Sequence, residues 1–225
     1  MYLTLRDKVY IMYVINNIQL IRNKRMKIVL ASASPRRKEL LSSLTLDFEI
    51  ITAPTDETLP EGVHPRDGVG ILAERKGAAT YEKMNNEACL EDGTIIISAD
   101  TLVEADGVAL GKPEDETDAA RMLRLLSGRW HNVHTGISVR NGSDIFTEVA
   151  STAVLFRELS DKQIWEYIKS GEPMDKAGSY GIQGLAGKFV ERIDGEFDTV
   201  VGLSVKTTLN LMTKCGFVRE EKQPI

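Results

Sequence analysis

Five groups of residues have types and spacings that could do chemistry. In Ser32-Ala33-Ser34-Pro35-Arg36-Arg37, two hydroxyls and two guanidinium groups follow an apolar run and open a helical one. Backbone N–H groups at a helix start, joined by arginine forks, make a cradle for phosphate oxygens. A plain helix start with two solvated arginines accounts for the same turn equally well. Asp100 follows the apolar run Thr94 to Ile97 through Ser98-Ala99, and is expected at the carboxyl end of that strand. Ligands of open α/β sheets gather outside such ends, and a carboxylate beyond an apolar strand needs a partner or a task. That position favours function over a turn cap or a structural ion pair.

Lys112 stands between Gly111 and Pro113, where a phosphate contact competes with an ordinary surface lysine. Lys76 continues the helical spacing of Val69, Leu72 and Ala73, so its ammonium faces inward and requires an anion unless it snorkels. Asp56-Glu57, in a proline-rich loop, is a carboxylate pair of the kind that holds Mg²⁺ or Mn²⁺ beside phosphates. A solvated acidic loop is the simpler reading. Gly178, Gly181, Gly184 and Gly187 recur every third residue around Gln183, whose amide offers a donor and an acceptor to a base edge. A structural turn is the alternative there.

The elements that must position these groups alternate between two periods. Lys27 to Ala31 and Phe48 to Ile51 read as strands, with a helix from Pro35 to Leu44 between them. Arg66 to Met84 reads as a helix. Asp106-Gly107 and Asn141-Gly142 are hairpin signals. Glu114 to Leu126, Ser160 to Lys169 and Ser204 to Lys214 read as helices, and Lys188 to Ile193 as a strand. Helices between early strands and hairpins in the middle predict an α/β fold with a mixed sheet.

Several classes are excluded. Pro113 after Gly111-Lys112 rules out a P-loop, and no G-x-S-x-G elbow occurs. His131 and His134, three apart in a strand, face opposite ways and make a poor metal pair, while His64 is isolated. Cys89 and Cys215 form no disulfide framework, so a reducing, cytoplasmic setting is expected. The chain carries a net charge of −5. Residues 1–26 hold five basic side chains against Asp7, a balance of +4, so the rest carries −9. Such an acidic body argues against nucleic acid as a partner, and any polyanion must be met by cations gathered in one pocket. The apolar run Val9 to Ile21 contains Asn16, Asn17 and Gln19 and is too short and polar to span a bilayer. No membrane association is expected, an amphipathic anchor being the weaker alternative. Residues 1–26 read as an extension before a start at Met26.

Together these segments resemble the Maf family of nucleotide pyrophosphatases, related in fold to the inosine triphosphatases. The resemblance runs from about residue 27 to 217 and rests on an ordered set. It comprises LASASPRR at 30–37, Asp56-Glu57, Lys76, SADT at 98–101, GKP at 111–113, SGRWHNVHTG at 127–136, TAVLF at 152–156, DKAGSYGIQG at 175–184 and VVGL at 200–203. It leaves residues 1–26 as an extension and 218–225 as a tail. It implies a mixed sheet with flanking helices in two lobes around a nucleotide cleft, in a family that often forms homodimers. It implies metal-dependent hydrolysis at the α-phosphorus of a nucleoside triphosphate, releasing pyrophosphate. Asp100 would accept the proton of the attacking water. Ser32, Arg36, Arg37, Lys76 and Lys112 would hold phosphates, and Glu57 would join Asp100 near a Mg²⁺ or Mn²⁺ ion. Arg36, Thr101 and Gln183 match the specificity positions of the subgroup acting on dTTP and UTP. A 7-methyl-GTP pyrophosphatase, or a nucleotide-binding regulator of cell division without turnover, are the alternatives. Departures from the family pattern are Gly77 for Ala, Ser98 for Gly or Ala, Phe197 for Tyr and Ser204 for Pro.

Overall fold

Three long strands carry the architecture: β3 (Ile95–Ala105), β5 (Trp130–Asn141) and β6 (Asp144–Phe156). They lie side by side and antiparallel in a seven-stranded sheet. A computed structural model describes residues 26–218 apart from Thr45 and Pro60. The apolar run at 9–21, the extension assigned to residues 1–26 (Met26 excepted) and residues 219–225 of the tail lie outside the described residues. Beyond β3 come β1 (Ile28–Leu30) and β2 (Glu49–Ile50), both parallel neighbours, and beyond β6 comes β7 (Val190–Asp194). A short β4 (Val108–Leu110) turns back on β3 through Asp106-Gly107, both at positive φ, which is the geometry a two-residue hairpin demands. The second hairpin turns one residue later than expected. Asn141 pairs with Asp144, so Gly142 and Ser143 are the loop, and Gly142 takes the positive φ.

Helices cover the sheet and divide its apolar surface into two main cores. At one end, Ile95, Ile97, Ile137 and Val139 pack with Leu41 of α1 (Pro35–Ser42) and with Leu211 and Met212 of α6 (Val205–Lys214). At the other end, Val103, Val133 and Phe156 pack with Leu123 of α3 (Glu116–Leu126) and Ile164 of α4 (Asp161–Ile168). The long strands belong to both cores and form the spine of two lobes. The five-residue α5 (Phe197–Val201) joins β7 to α6. Ser204 caps α6 by accepting the N–H of Thr207, so its hydroxyl serves the helix start where the resemblance has proline.

The longest helix, α2 (Pro65–Asn86), crosses the sheet face over β3 and β5. Its closeness depends on small residues. A Cβ on Gly136 would stand 2.4 Å from the carbonyl oxygen of Val69, and one on Gly77 would stand 2.7 Å from Ser98 Oγ. Two of the departures noted above therefore face each other: Ser98 fills the space that a methyl at position 77 would need, and its hydroxyl donates to the Ala73 carbonyl at 2.7 Å. Among the described residues no helix is long and apolar enough to cross a membrane.

Candidate active site

A break along one edge of β3 creates the site. That edge pairs with β1 through Ile97 and with β4 from Val103 onward, leaving residues 98–102 between the two partners. Asp100 lies in that interval. It is therefore mid-strand rather than at a strand's end as expected. Ten residues of pairing with β5 carry β3 on through Ser98, Asp100 and Thr101, whose polarity suggested an end. The expectation holds in a narrower sense, because Asp100 stands just past the end of the parallel partner.

Arg37 fills the break. Its Nη1 donates to the Ala99 carbonyl at 2.8 Å and to Ser32 Oγ at 3.3 Å, its Nη2 to Thr101 Oγ1 at 3.1 Å, and its Nε to the Gly202 carbonyl at 2.8 Å. Four of the five guanidinium N–H groups thus have protein acceptors, a count taken from those bonds. The pair of free forks expected from Arg36-Arg37 is not what the fold builds. Burial lowers the Arg37 pKa from its ordinary value, opposed by the charges of Asp100 and Glu57, and the group remains cationic. Thr101 is committed as well, since its hydroxyl also bonds Thr135 Oγ1 at 3.0 Å. Ser32 Oγ accepts from Arg37 and from the Ser34 N–H.

The Arg36 side chain makes no hydrogen bond or ion pair within the described residues, and the same holds for the side chains of Lys112 and Gln183. All three line one cleft with Arg37, Glu57, Lys76, Asp100 and Thr101, and the cleft has a volume of about 680 Å³. That is the size of a small-molecule site. Pro35 at the first position of α1 and the absence of a side-chain cap from Ser34 leave the first-turn N–H groups open toward it. Apolar side chains such as Leu102, Val103 and Val200 line part of the wall.

The floor of the cleft is an ionic triad. The ammonium of Lys76, reaching from α2, bonds Asp100 Oδ1 and stands 2.7 Å from Glu57 Oε1. The inward-facing lysine has two anions, as its helical position required. The Lys76 hydrogen bond holds Glu57 below the usual carboxylate range, against the opposing effect of burial. Asp56 turns away and accepts the Thr58 N–H within its own loop. Two carboxylates meeting at one cation are a donor set that suits a hard divalent ion. No cluster of three or more His, Cys, Asp or Glu with metal-binding geometry occurs among the described residues. Such an ion would need further oxygens from a ligand, as Mg²⁺ ordinarily does.

The three histidines play no part in the cleft's charge. His134 bonds Glu104 and Ser151, His131 bonds Tyr180, and His64 caps α2. Two residues of the lining fall in the DKAGSYGIQG segment without a role of their own legible in the sequence. Asp175, paired with Lys176 at 2.6 Å, sits in the lining where its pKa is lowered, first by that lysine and also by Arg36. Tyr180 lies beside the same loop, 6% exposed. A charged pair next to a glycine-rich stretch reads as solvated surface; in the fold Lys176 is largely covered, while Asp175 stays exposed at the rim of the cleft.

The model of the Maf family, described as Maf-like protein, matches residues 27–215. The chain belongs to the Maf family. Among its relatives, the dTTP/UTP pyrophosphatase of Bacillus velezensis is 45% identical over 186 residues, covering 83% of this chain and 95% of the relative. That of Chromobacterium violaceum is 44% identical over 191 residues, covering 85% and 96%. That of Bdellovibrio bacteriovorus is 42% identical over 190 residues, covering 83% and 97%. The Maf match spans both lobes and every residue of the cleft named above.

Proposed function

We propose that this chain is a nucleoside triphosphate pyrophosphatase, hydrolysing dTTP and UTP to the monophosphate and pyrophosphate. The observation that carries the reading is the separation of charge within one cleft. Among the described residues Arg36 and Lys112 are unpaired cations, while the carboxylate of Asp100 is pinned by Lys76 at one oxygen. Relatives that carry this activity in their names, 42–45% identical over most of the chain, support it.

In this reading Arg36, Lys112 and the open N–H groups of α1 grip the triphosphate tail. The α-phosphorus then lies toward the triad, where Asp100 Oδ2 accepts a proton from an attacking water. The bond from the α-phosphorus to the bridging oxygen breaks, and the charge that moves onto pyrophosphate is met by the same cations. Arg37 is assigned to holding Ala99, Thr101 and Gly202 in place rather than to a free phosphate fork. Glu57 and Asp100 would hold Mg²⁺ or Mn²⁺. When bound, the ion supplies positive charge against the triphosphate. Gln183 reads the pyrimidine edge. A body built on residues 27–217, a cytoplasmic setting, no nucleic-acid or membrane partner and a homodimeric state complete the proposal.

Pyrophosphate release from a panel of nucleoside triphosphates, 7-methyl-GTP included, with Mg²⁺ or Mn²⁺ tests it. UTP and dTTP should lead the panel. Binding without product, or preference for 7-methyl-GTP, would overturn the assignment.

A further inference from the structure

The Gln183 amide has no partner among the described residues, yet selection of a base requires it to be held in one place. The segment that carries it is an arch from Gly181 to Leu185, closed by the Gly184 N–H donating to the Gly181 carbonyl at 3.0 Å. The two feet of the arch are tied to two side chains that bond each other. The Gly181 N–H donates to Tyr167 Oη at 3.4 Å, and that hydroxyl donates to Glu172 Oε1 at 3.0 Å. At the other foot the Leu185 N–H donates to Glu172 Oε2 at 3.0 Å. The chain of bonds is unbroken from one foot to the other.

The anchors are themselves held by packing and by backbone bonds. Tyr167 is 1% exposed on α4 and meets Phe189 edge-on at 5.2 Å. Glu172 follows Gly171, which takes the left-handed φ of +75° ending α4, and its own N–H is taken by Ser170 Oγ. The carboxylate occupies the underside of the arch so closely that a Cβ on Gly184 would stand 2.2 Å from Glu172 Oε1. Gly184 has φ of −102°, a value open to any residue. A side chain at 184 would meet the carboxylate, whereas the backbone would accept it. Only an ionised carboxylate accepts at both oxygens. A glutamine there would turn an NH₂ toward one of the two donors.

We propose that Tyr167 and Glu172 are positioning residues for nucleobase selection: by tying both feet of the 181–185 arch they fix the amide of Gln183 in the cleft and so set the preference for pyrimidine triphosphates. The proposal rests on the function given above. Neither side chain lines the cleft; both carboxylate oxygens of Glu172 and the hydroxyl of Tyr167 act on it through the arch.

The test uses Glu172→Gln and Tyr167→Phe, each alone and combined with Gln183→Ala. kcat/KM is measured for UTP, dTTP, ATP and GTP, with inhibition by pyrophosphate measured beside it. The wild-type panel separates the two readings, since failure there sinks the function and leaves nothing for the arch to select. With wild type selective, each single variant should lose about 5- to 30-fold in UTP-over-ATP preference, the scale of one mis-set hydrogen bond. The inhibition constant of pyrophosphate, which has no base, should stay unchanged. In the Gln183→Ala background neither change should lower the preference further. Unchanged preference in both single variants overturns the proposal. So does a loss shared equally by all nucleotides and by pyrophosphate, or a full additional loss on top of Gln183→Ala.

Discussion

Asp100 and Gln183 line the same cleft and are held in opposite ways. Asp100 rides on an eleven-residue strand paired along its length with β5, and its carboxylate is bonded to a lysine from a 22-residue helix packed across that strand. Gln183 rides on a chain of short 3₁₀ turns between Glu172 and Phe189, held by isolated bonds from side chains to backbone. The difference matches two demands. Charge that develops during a reaction is best met by groups that need no rearrangement, which a sheet and a helix supply. Choice of a base is a matter of one amide's placement, and a loop adjusts that placement without disturbing the floor.

The sharpest test of the division is Asp100→Asn, which is nearly isosteric and should act on the reaction alone. Loss of about 10²- to 10⁴-fold in kcat is expected, the usual scale for a positioned proton acceptor. Substrate preference should stay as in wild type. Equal activity in the variant would remove Asp100 from the chemistry, and a changed preference would show that floor and loop are not separate.

Adjacent arginines give the next comparison. Arg37→Ala leaves the carbonyls of Ala99 and Gly202 without their donors and should cost about 2–4 kcal/mol of folding stability. Arg36→Ala removes a side chain without partners, and its stability should stay within about 0.5 kcal/mol of wild type while KM rises. Denaturant melts paired with kinetics distinguish the two. Equal stability of the two variants would refute the keystone role of Arg37.

The seam between the regions should respond to pH. His131 on β5 is buried and bonds the hydroxyl of Tyr180 at 2.8 Å. Burial pushes its pKa down to about 4. The unfolded chain, with an ordinary histidine pKa near 6.5, therefore binds more protons between those values. Stability is full above about pH 6.5 and falls as pH drops toward 4, by about 3 kcal/mol in all. The carboxylates of Glu57, Glu104 and Asp175, depressed by Lys76, His134 and Lys176 in that order, lose their contribution only at lower pH, below their unfolded values. In His131→Gln the loss between pH 7 and pH 4 should shrink by that amount. Parallel curves for the two proteins would refute this account.

These regions also differ in what the amino-acid sequence discloses. Asp100 and Lys76 are legible because each departs from a strong apolar period: a carboxylate after TIII, an ammonium in line with Val69, Leu72 and Ala73. Arg37 is not, since its task depends on where β1 leaves β3 and β4 joins it, a fact of long-range pairing. The continuation of β3 through Asp100 is hidden for the same reason, because a tertiary partner overrides local polarity. The glycine-rich stretch is legible as a turn. Its reasons are not: Gly178, at φ of +64°, lies against Val103, and Gly184 lies against Glu172, residues far off or of the wrong type to suggest a contact. Asp175 and Lys176 are legible only as the opening of the DKAGSYGIQG segment, with no role attached to them.

The smallest effect tests how closely the floor is fitted. Gly77→Ala gains about 1 kcal/mol of helix propensity, yet puts a methyl 2.7 Å from Ser98 Oγ, a hydroxyl fixed by its bond to the Ala73 carbonyl. Overpacking of this kind costs about 1–3 kcal/mol, so the single variant should be less stable despite its better helix former. Ser98→Ala alone should lose about 0.5–1.5 kcal/mol with the hydrogen bond. Combined, the two changes remove the collision and keep the propensity. The double variant should then melt close to wild type, with a coupling of about 1–2 kcal/mol. If the two effects simply add, Gly77 and Ser98 do not compensate each other, and the close approach of α2 to β3 has some other support.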